Sequence, residues 1–145
     1  MKRIYLAGLI STDYPQSLDW RREVTPRLAK HFEVLNPLRG MLNKSFVDGG
    51  LNHPDLSSKD ITLRDRSDVL SSDIILAHLD TFGSPRPLTG TIAELAWAWE
   101  IHIPVIGVAE TDNSLMRSHP FIVEFVAHYF NTLEESIRFV IAEYK

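Results

Sequence analysis

Residues 3–10, Arg-Ile-Tyr-Leu-Ala-Gly-Leu-Ile, are almost unbroken apolar and run into Ser11-Thr12-Asp13. A short run of this kind, stopped by turn formers, predicts a strand buried on both faces, first in the chain and central in its sheet. Over residues 16–31 the period changes. Trp20, Val24 and Leu28 recur every four positions, so a helix with one apolar face is expected there, with Arg21, Arg22 and Arg27 projecting elsewhere. Pro26 lies inside it and predicts a kink or a restart, because proline removes a main-chain donor and crowds the preceding turn. Phe32 to Leu35 reads as a second short strand, closed by Asn36-Pro37.

Residues 37–57 have no period and are rich in Gly, Asn, Pro and Asp, which we take for a functional loop acting as an active-site lid. Ser57-Ser58-Lys59-Asp60 is a helix-start signature, and beyond it Ile61, Asp65 and Val69 share one face. Residues 74–79 and 104–109 predict a third and a fourth strand. Between them Thr89-Gly-Thr-Ile-Ala-Glu-Leu-Ala-Trp-Ala-Trp-Glu reads as a loop feeding a helix that starts near Thr91. Residues 121–129 supply either an edge strand or a short helix. Thr132 caps a last helix with Leu133, Ile137, Val140, Ile141 and Tyr144 on one face. Strands that alternate with helices require crossovers. The expected fold is therefore α/β, a single doubly wound domain of the Rossmann or flavodoxin kind, with a mostly parallel sheet of about five strands and helices on both faces. Its site should lie beyond the carboxyl ends of strands one and three, where strand order reverses.

Length adds that 145 residues with 44% apolar side chains fill one core and not two. With 15 basic and 19 acidic side chains dispersed along the chain, there is no basic stripe, so neither nucleic acid nor an anionic membrane is an expected partner. The absence of cysteine removes thiolate and Cys-ligated metal chemistry. The short apolar run after Met1-Lys2-Arg3 is neither a signal segment nor a membrane span, so the expected location is cytoplasmic.

The helix near Thr91 is apolar nearly all round. Ile92, Leu95, Ala96 and Trp99 form one face, and Trp97, Ala98 and Ile101 form most of the other, which predicts contact with a second copy of the chain and hence a homo-oligomer. Glu94 sits in the first turn of that helix. One explanation is a capping box, Thr91-x-x-Glu94, a pattern repeated at Thr132-x-x-Glu135. Against it stands the stiff approach Ser84-Pro-Arg-Pro-Leu-Thr-Gly90, which delivers Glu94 to the expected crevice. Asp65, embedded between Ile61 and Val69, is a second carboxylate candidate, or else a partner of Arg64, Arg66 or Arg39. Asp68 reads as a solvated arginine partner. Tyr5 needs a partner for its phenol, which Glu94 or Asp65 can supply. Histidines 31, 53, 78, 102, 119 and 128 are scattered, with no His-x-x-x-His pair, so no metal is expected. Neither G-x-G-x-x-G nor a Walker lysine follows the first strand, and no G-x-S-x-G elbow is present, so no nucleotide cofactor is expected.

Ile4-Tyr-Leu-Ala-Gly8, Arg64-Asp65 with Asp68-Val69, Ser72-Asp73-Ile74, Leu79-Asp80, Gly90-Thr91-x-x-Glu94-x-Ala96-Trp97-Ala98, His119-Pro-Phe-Ile and the closing Thr-Leu-Glu-Glu occur in that order. In this the chain resembles the nucleoside 2-deoxyribosyltransferase superfamily, which also holds 2′-deoxynucleoside 5′-phosphate N-hydrolases. The resemblance implies that Glu94 is the nucleophile, that Asp65 binds the sugar and positions or protonates the leaving base, and that Tyr5 hydrogen-bonds the nucleophile. It further implies that Gly8, Arg39, Thr89, Gly90 and Thr91 contact a nucleoside or nucleotide and a free nucleobase. Six residues before the glutamate, where many transferases carry aspartate and the nucleotide hydrolases often serine, this chain has Leu88, with Thr89 or Ser84 as substitutes. The Arg/Gly-rich phosphate loop is also absent, since Gly8 is followed by Leu-Ile-Ser-Thr. The expected activity is transfer of deoxyribose between bases, with hydrolysis of a deoxynucleoside 5′-monophosphate, or nucleotide sensing without turnover, as alternatives.

Overall fold

The computed structural model describes residues 1–39, 56–110 and 114–145. Most of the loop expected to act as a lid lies outside these residues. The described elements run β1 (Arg3–Gly8), α1 (Gln16–Leu28), β2 (Glu33–Leu35), α2 (Ser58–Leu70), β3 (Ile74–His78), α3 (Thr89–Glu100), β4 (Val105–Val108), α4 (Ser114–Ser118), α5 (Pro120–Phe125), β5 (His128–Phe130) and α6 (Leu133–Tyr144). The strands form one sheet in the order β2-β1-β3-β4-β5, and every pairing is parallel. β3, and not β1, takes the middle. An apolar run reports burial on both faces, which every interior strand shares, so it cannot single out the central one.

Alternation along the strands divides the core in two. Tyr5, Ala7, Ile75 and Ala77 point to one face and meet Val69 of α2, Leu95 and Ala98 of α3 and Ile122 of α5. Ile4, Leu6, Ile74 and Leu76 point to the other and meet Trp20, Val24 and Leu28 of α1 and Ile137 and Val140 of α6. Helices thus cover both faces, as parallel strands demand. Among the described residues no helix is long and apolar enough to cross a membrane.

Several local expectations shift. α1 continues through Pro26 without a restart, because Val24 and Leu28 on either side are fully buried and their packing outweighs one lost main-chain bond. α3 begins at Thr89, two residues before the expected start, and Leu88 at its N-cap makes no side-chain cap. Where either a strand or a short helix is expected over residues 121–129, the chain forms both, α5 from Pro120 and then β5 to Phe130. The side chains of α3 are not buried all round. The buried stripe is Thr91, Glu94, Leu95 and Ala98, while Trp99 and Ile101 are 49% and 46% exposed.

Candidate active site

The chain crosses its switch point between β1 and β3, and the carboxyl end of β1 opens there into a cavity of about 490 Å³ between α2 and α3. β1 contributes Tyr5 and Gly8 to its wall, α2 contributes Ile61 and Asp65, and α3 contributes Thr89, Gly90, Thr91, Glu94 and Trp97. Local chemistry explains these placements. Ser57 caps α2 by a reciprocal box, its hydroxyl accepting from the Asp60 amide while Asp60 accepts from the Ser57 amide, so the register that brings Asp65 to the cavity starts from a fixed point. Gly8 turns the strand end at φ +153°, and a Cβ there would lie 2.9 Å from the His78 carbonyl oxygen.

Glu94 does not cap its helix. Its Oε2 accepts a short hydrogen bond from the Tyr5 hydroxyl, across from α3 to β1, and the side chain is buried in the cavity wall. The Thr91-x-x-Glu94 capping box is therefore absent, for α3 has already begun when it reaches Thr91, whereas Thr132 accepts from the Glu135 amide as its pattern predicts. Burial pushes the Glu94 carboxyl up to about 8, and nearby Asp65 adds to the rise; the Tyr5 hydrogen bond and the positive charge of Arg21 oppose it. Burial and the same carboxylate raise the Tyr5 phenol well above its usual value, so it is a hydrogen-bond donor at neutral pH. Asp65 is also raised, first by burial, with Arg64 pulling the other way through contacts of 3.2 and 3.3 Å. Two carboxyl groups and a phenol thus share one partly desolvated space, each holding its proton to higher pH than in water. Such a set suits nucleophilic attack coupled to proton transfer.

Two other expected residues stand differently. Arg39 is not in the cavity's described lining; it grips Asp68 with bonds of 2.5 and 3.0 Å. Asp68 is accordingly buried in that pair, not solvated. Leu88 and Thr89 line the cavity, whereas the Ser84 hydroxyl is spent on the Arg86 amide at 3.2 Å.

Sequence reasoning missed Arg21, which lies fully buried under the cavity and does not project to solvent. The signal was present: positions 17, 21, 24 and 28 form one helical stripe, and all of them are buried. It also passed over the His78-x-Asp80 spacing. His78, Asp80 and Glu110 bring ligand-type atoms within 4.8 Å of one another, beside a second cavity of about 390 Å³ on the opposite side of the sheet from Glu94. Main-chain amides donate to each of the three. The Asp80 amide donates to His78 Nδ1 at 3.4 Å, the Glu110 amide to Asp80 at 2.9 Å, and the Leu133 amide to Glu110 at 2.9 Å, which ties the ends of β3 and β4 to the start of α6.

Comparison with known proteins adds the chemistry this architecture carries elsewhere. The model of the family described as nucleoside 2-deoxyribosyltransferase matches residues 4–134. No curated protein matches the chain at the sequence level. Among solved structures, a 2-deoxyribosyltransferase from Leishmania mexicana superposes with a TM-score of 0.67 at 16% identity, over 100% of both chains. A 2-deoxyribosyltransferase from Bacillus psychrosaccharolyticus gives 0.60 at 20% identity, over 92% of this chain and 88% of that one. A CMP N-glycosidase from Clostridium botulinum gives 0.56 at 18%, over 96% and 97%. At these identities the structural likeness is one of fold.

Proposed function

The chain belongs to the nucleoside 2-deoxyribosyltransferase family, whose enzymes act on nucleosides, and from that premise we propose that it transfers 2-deoxyribose between nucleobases by double displacement at Glu94. In the first half a Glu94 oxygen attacks C1′ of a 2′-deoxynucleoside. The C1′–O bond forms as the C1′–N bond breaks, and the bonding pair leaves with the base, which takes a proton from Asp65. In the second half a nitrogen of the incoming base attacks C1′ from the vacated side, returns its proton to Asp65 and releases the Glu94 carboxylate. Configuration is retained after two inversions. Tyr5 holds the attacking carboxylate in place and stabilises its ionised form.

One observation carries this reading: the Glu94 carboxyl is buried in the wall of a cavity and bonded to Tyr5, with no bond to its own helix start. A cap would be indifferent to the cavity; a nucleophile requires it. Nucleosides are favoured over 5′-monophosphates because Gly8 is followed by Leu-Ile-Ser-Thr and not by an Arg/Gly-rich phosphate loop; in the cavity's described lining Arg21 bonds main-chain carbonyls, and the other arginine there is Arg86. Turnover is favoured over binding alone by the pairing of two carboxyl groups, Glu94 and Asp65, in one cavity wall with the Tyr5 hydroxyl on Glu94, an arrangement suited to attack coupled with proton transfer.

The test is chromatography of base release from a panel of 2′-deoxynucleosides and their 5′-monophosphates, with and without a second free base. Expected is exchange of one base for the other from nucleosides. Glu94→Ala should lower it by about 1,000-fold or more, as loss of a nucleophile does. Near-normal exchange in that variant removes Glu94 as nucleophile, and free deoxyribose as the sole sugar product makes the enzyme a hydrolase.

A further inference from the structure

Arg21 presents an arrangement that the reaction above does not yet use. Its side chain is fully buried, and within the described residues all of its hydrogen bonds run to carbonyl oxygens: Nε to Leu6 at 3.4 Å, Nη1 to Leu9 at 3.0 Å and to Ser17 at 2.8 Å, and Nη2 to Gly8 at 2.8 Å. The guanidinium carbon also lies 4.8 Å from the centre of the Trp20 ring. A buried cation normally sits against a carboxylate, because desolvating an unpaired charge is costly. Here the carboxylates are available: Glu94 and Asp65 line the same cavity, and Arg21 acts on both electrostatically without a hydrogen bond to either.

We propose that Arg21 is a positioning residue of this site, gathering the carbonyls at the end of β1 into the cavity's lip while supplying, at a distance, positive charge that favours the carboxylate form of Glu94 without itself bonding to it. The inference rests on Glu94 being the nucleophile. A direct Arg21–Glu94 pair would hold the carboxylate oxygens and blunt their attack, whereas a countercharge locked onto carbonyls stabilises the anion and leaves its lone pairs for C1′. The geometry suits arginine alone. Three carbonyls, those of Leu6, Gly8 and Leu9, converge where Gly8 turns the chain at φ +153°, and a planar fork reaches all three where an ammonium could not. The lip is braced from the other side, since the Ser11 amide donates to the Ser17 hydroxyl and that hydroxyl donates to the Ser11 carbonyl, each at 2.9 Å. The guanidinium stays charged at neutral pH, its value lowered by burial only to about 10.

The charged and titratable groups acting on Glu94 are Tyr5 from β1, Arg21 from α1, and Asp65 and Asp68 from α2. Tyr5 and Arg21 favour the anion, and the two aspartates oppose it. Removing Arg21 therefore leaves Glu94 facing net negative surroundings.

The experiment follows the Glu94 carboxyl by 13C NMR titration of protein labelled at glutamate, assigned by its loss in Glu94→Gln, together with the pH profile of kcat/KM for base exchange. Two neutral variants, Arg21→Gln and Arg21→Met, are made so that one folded protein suffices, and Arg21→Lys keeps the charge while losing the fork. Expected is an upward movement of the Glu94 midpoint by about one pH unit in the neutral variants, seen in both measurements, and a midpoint close to wild type in Arg21→Lys despite a lower Tm. A midpoint unmoved in the neutral variants, or moved equally in Arg21→Lys, overturns the proposal and leaves Arg21 a packing residue. Because the NMR titration needs no turnover, absence of exchange by the wild-type protein, or its persistence in Glu94→Ala, sinks the nucleophile reading separately.

Discussion

At the scale of single residues, burial and ionisation at Glu94 pull against each other, and this has a thermodynamic signature. The carboxyl holds its proton up to about 8 in the folded chain against an ordinary 4.5, so between those values the native state binds more protons than the unfolded one and stability falls as pH rises. Glu94→Gln removes the titration. Thermal denaturation should show the variant melting about 2–4 °C or more above wild type at pH 8–9, with the two converging toward pH 5; equal melting at both ends would mean that the acid carries no such penalty. The same ionisation governs catalysis with the opposite sign. In the proposed reaction the nucleophile is the carboxylate, so kcat/KM should climb with pH through a midpoint well above the usual carboxylate range. Tyr5→Phe deletes the hydrogen bond that, among the described residues, favours the anion; it should move that midpoint higher still and slow exchange at pH 7 by about 10- to 100-fold. An unchanged profile in Tyr5→Phe would show the phenol to be core packing only.

At the scale of elements, the site is assembled from the end of one strand and the faces of two helices, and each depends on how its element begins. α2 starts at a reciprocal cap between Ser57 and Asp60, and Asp65 and Asp68 follow on its inward face. Ser57→Ala should cost about 1 kcal/mol, a fall of about 2–4 °C in Tm, and should weaken substrate binding more than the rate at saturation, because the cap sets the start of α2 and is not part of the cavity's described lining. A fall in kcat with KM unchanged would contradict this. α3 starts the other way, with no side-chain cap at Leu88, and because it starts at Thr89 Glu94 stands beyond its first turn and bonds Tyr5 across the cavity wall. The two S/T-x-x-E patterns of the chain are alike in sequence and unlike in structure, because Thr132 stands at a helix boundary and Thr91 stands inside one.

At the scale of the whole molecule, several of the apolar side chains left on the surface gather on neighbouring helices. Trp99 and Ile101 at the end of α3 lie beside α5, where Phe121 is 68% and Val123 45% exposed, and the rings of Trp99, Phe125 and Phe121 form a chain with centroids 5.7 and 6.2 Å apart. A surface of this kind suits a second copy of the chain. Sedimentation velocity is expected to report a species larger than the monomer, and Trp99→Lys is expected to shift it to the monomer; a monomer at all concentrations would show that the apolar excess of α3 has another purpose.

Periodicity along the chain marked the strands, most of the helices and the parallel sheet, though not α4, and put Glu94, Asp65 and Tyr5 forward as candidates near one crevice, their roles being implied by the family resemblance, because those features follow from local spacing and from the rule that a doubly wound sheet binds beyond its strand ends. Tertiary structure alone decided between cap and cavity for Glu94, turned Arg39 to Asp68 and away from the cavity's described lining, and drew Arg21 under the site. Each of these depends on which distant partner a polar group finds once water is excluded, and a one-dimensional pattern records what a side chain is without recording what it will face.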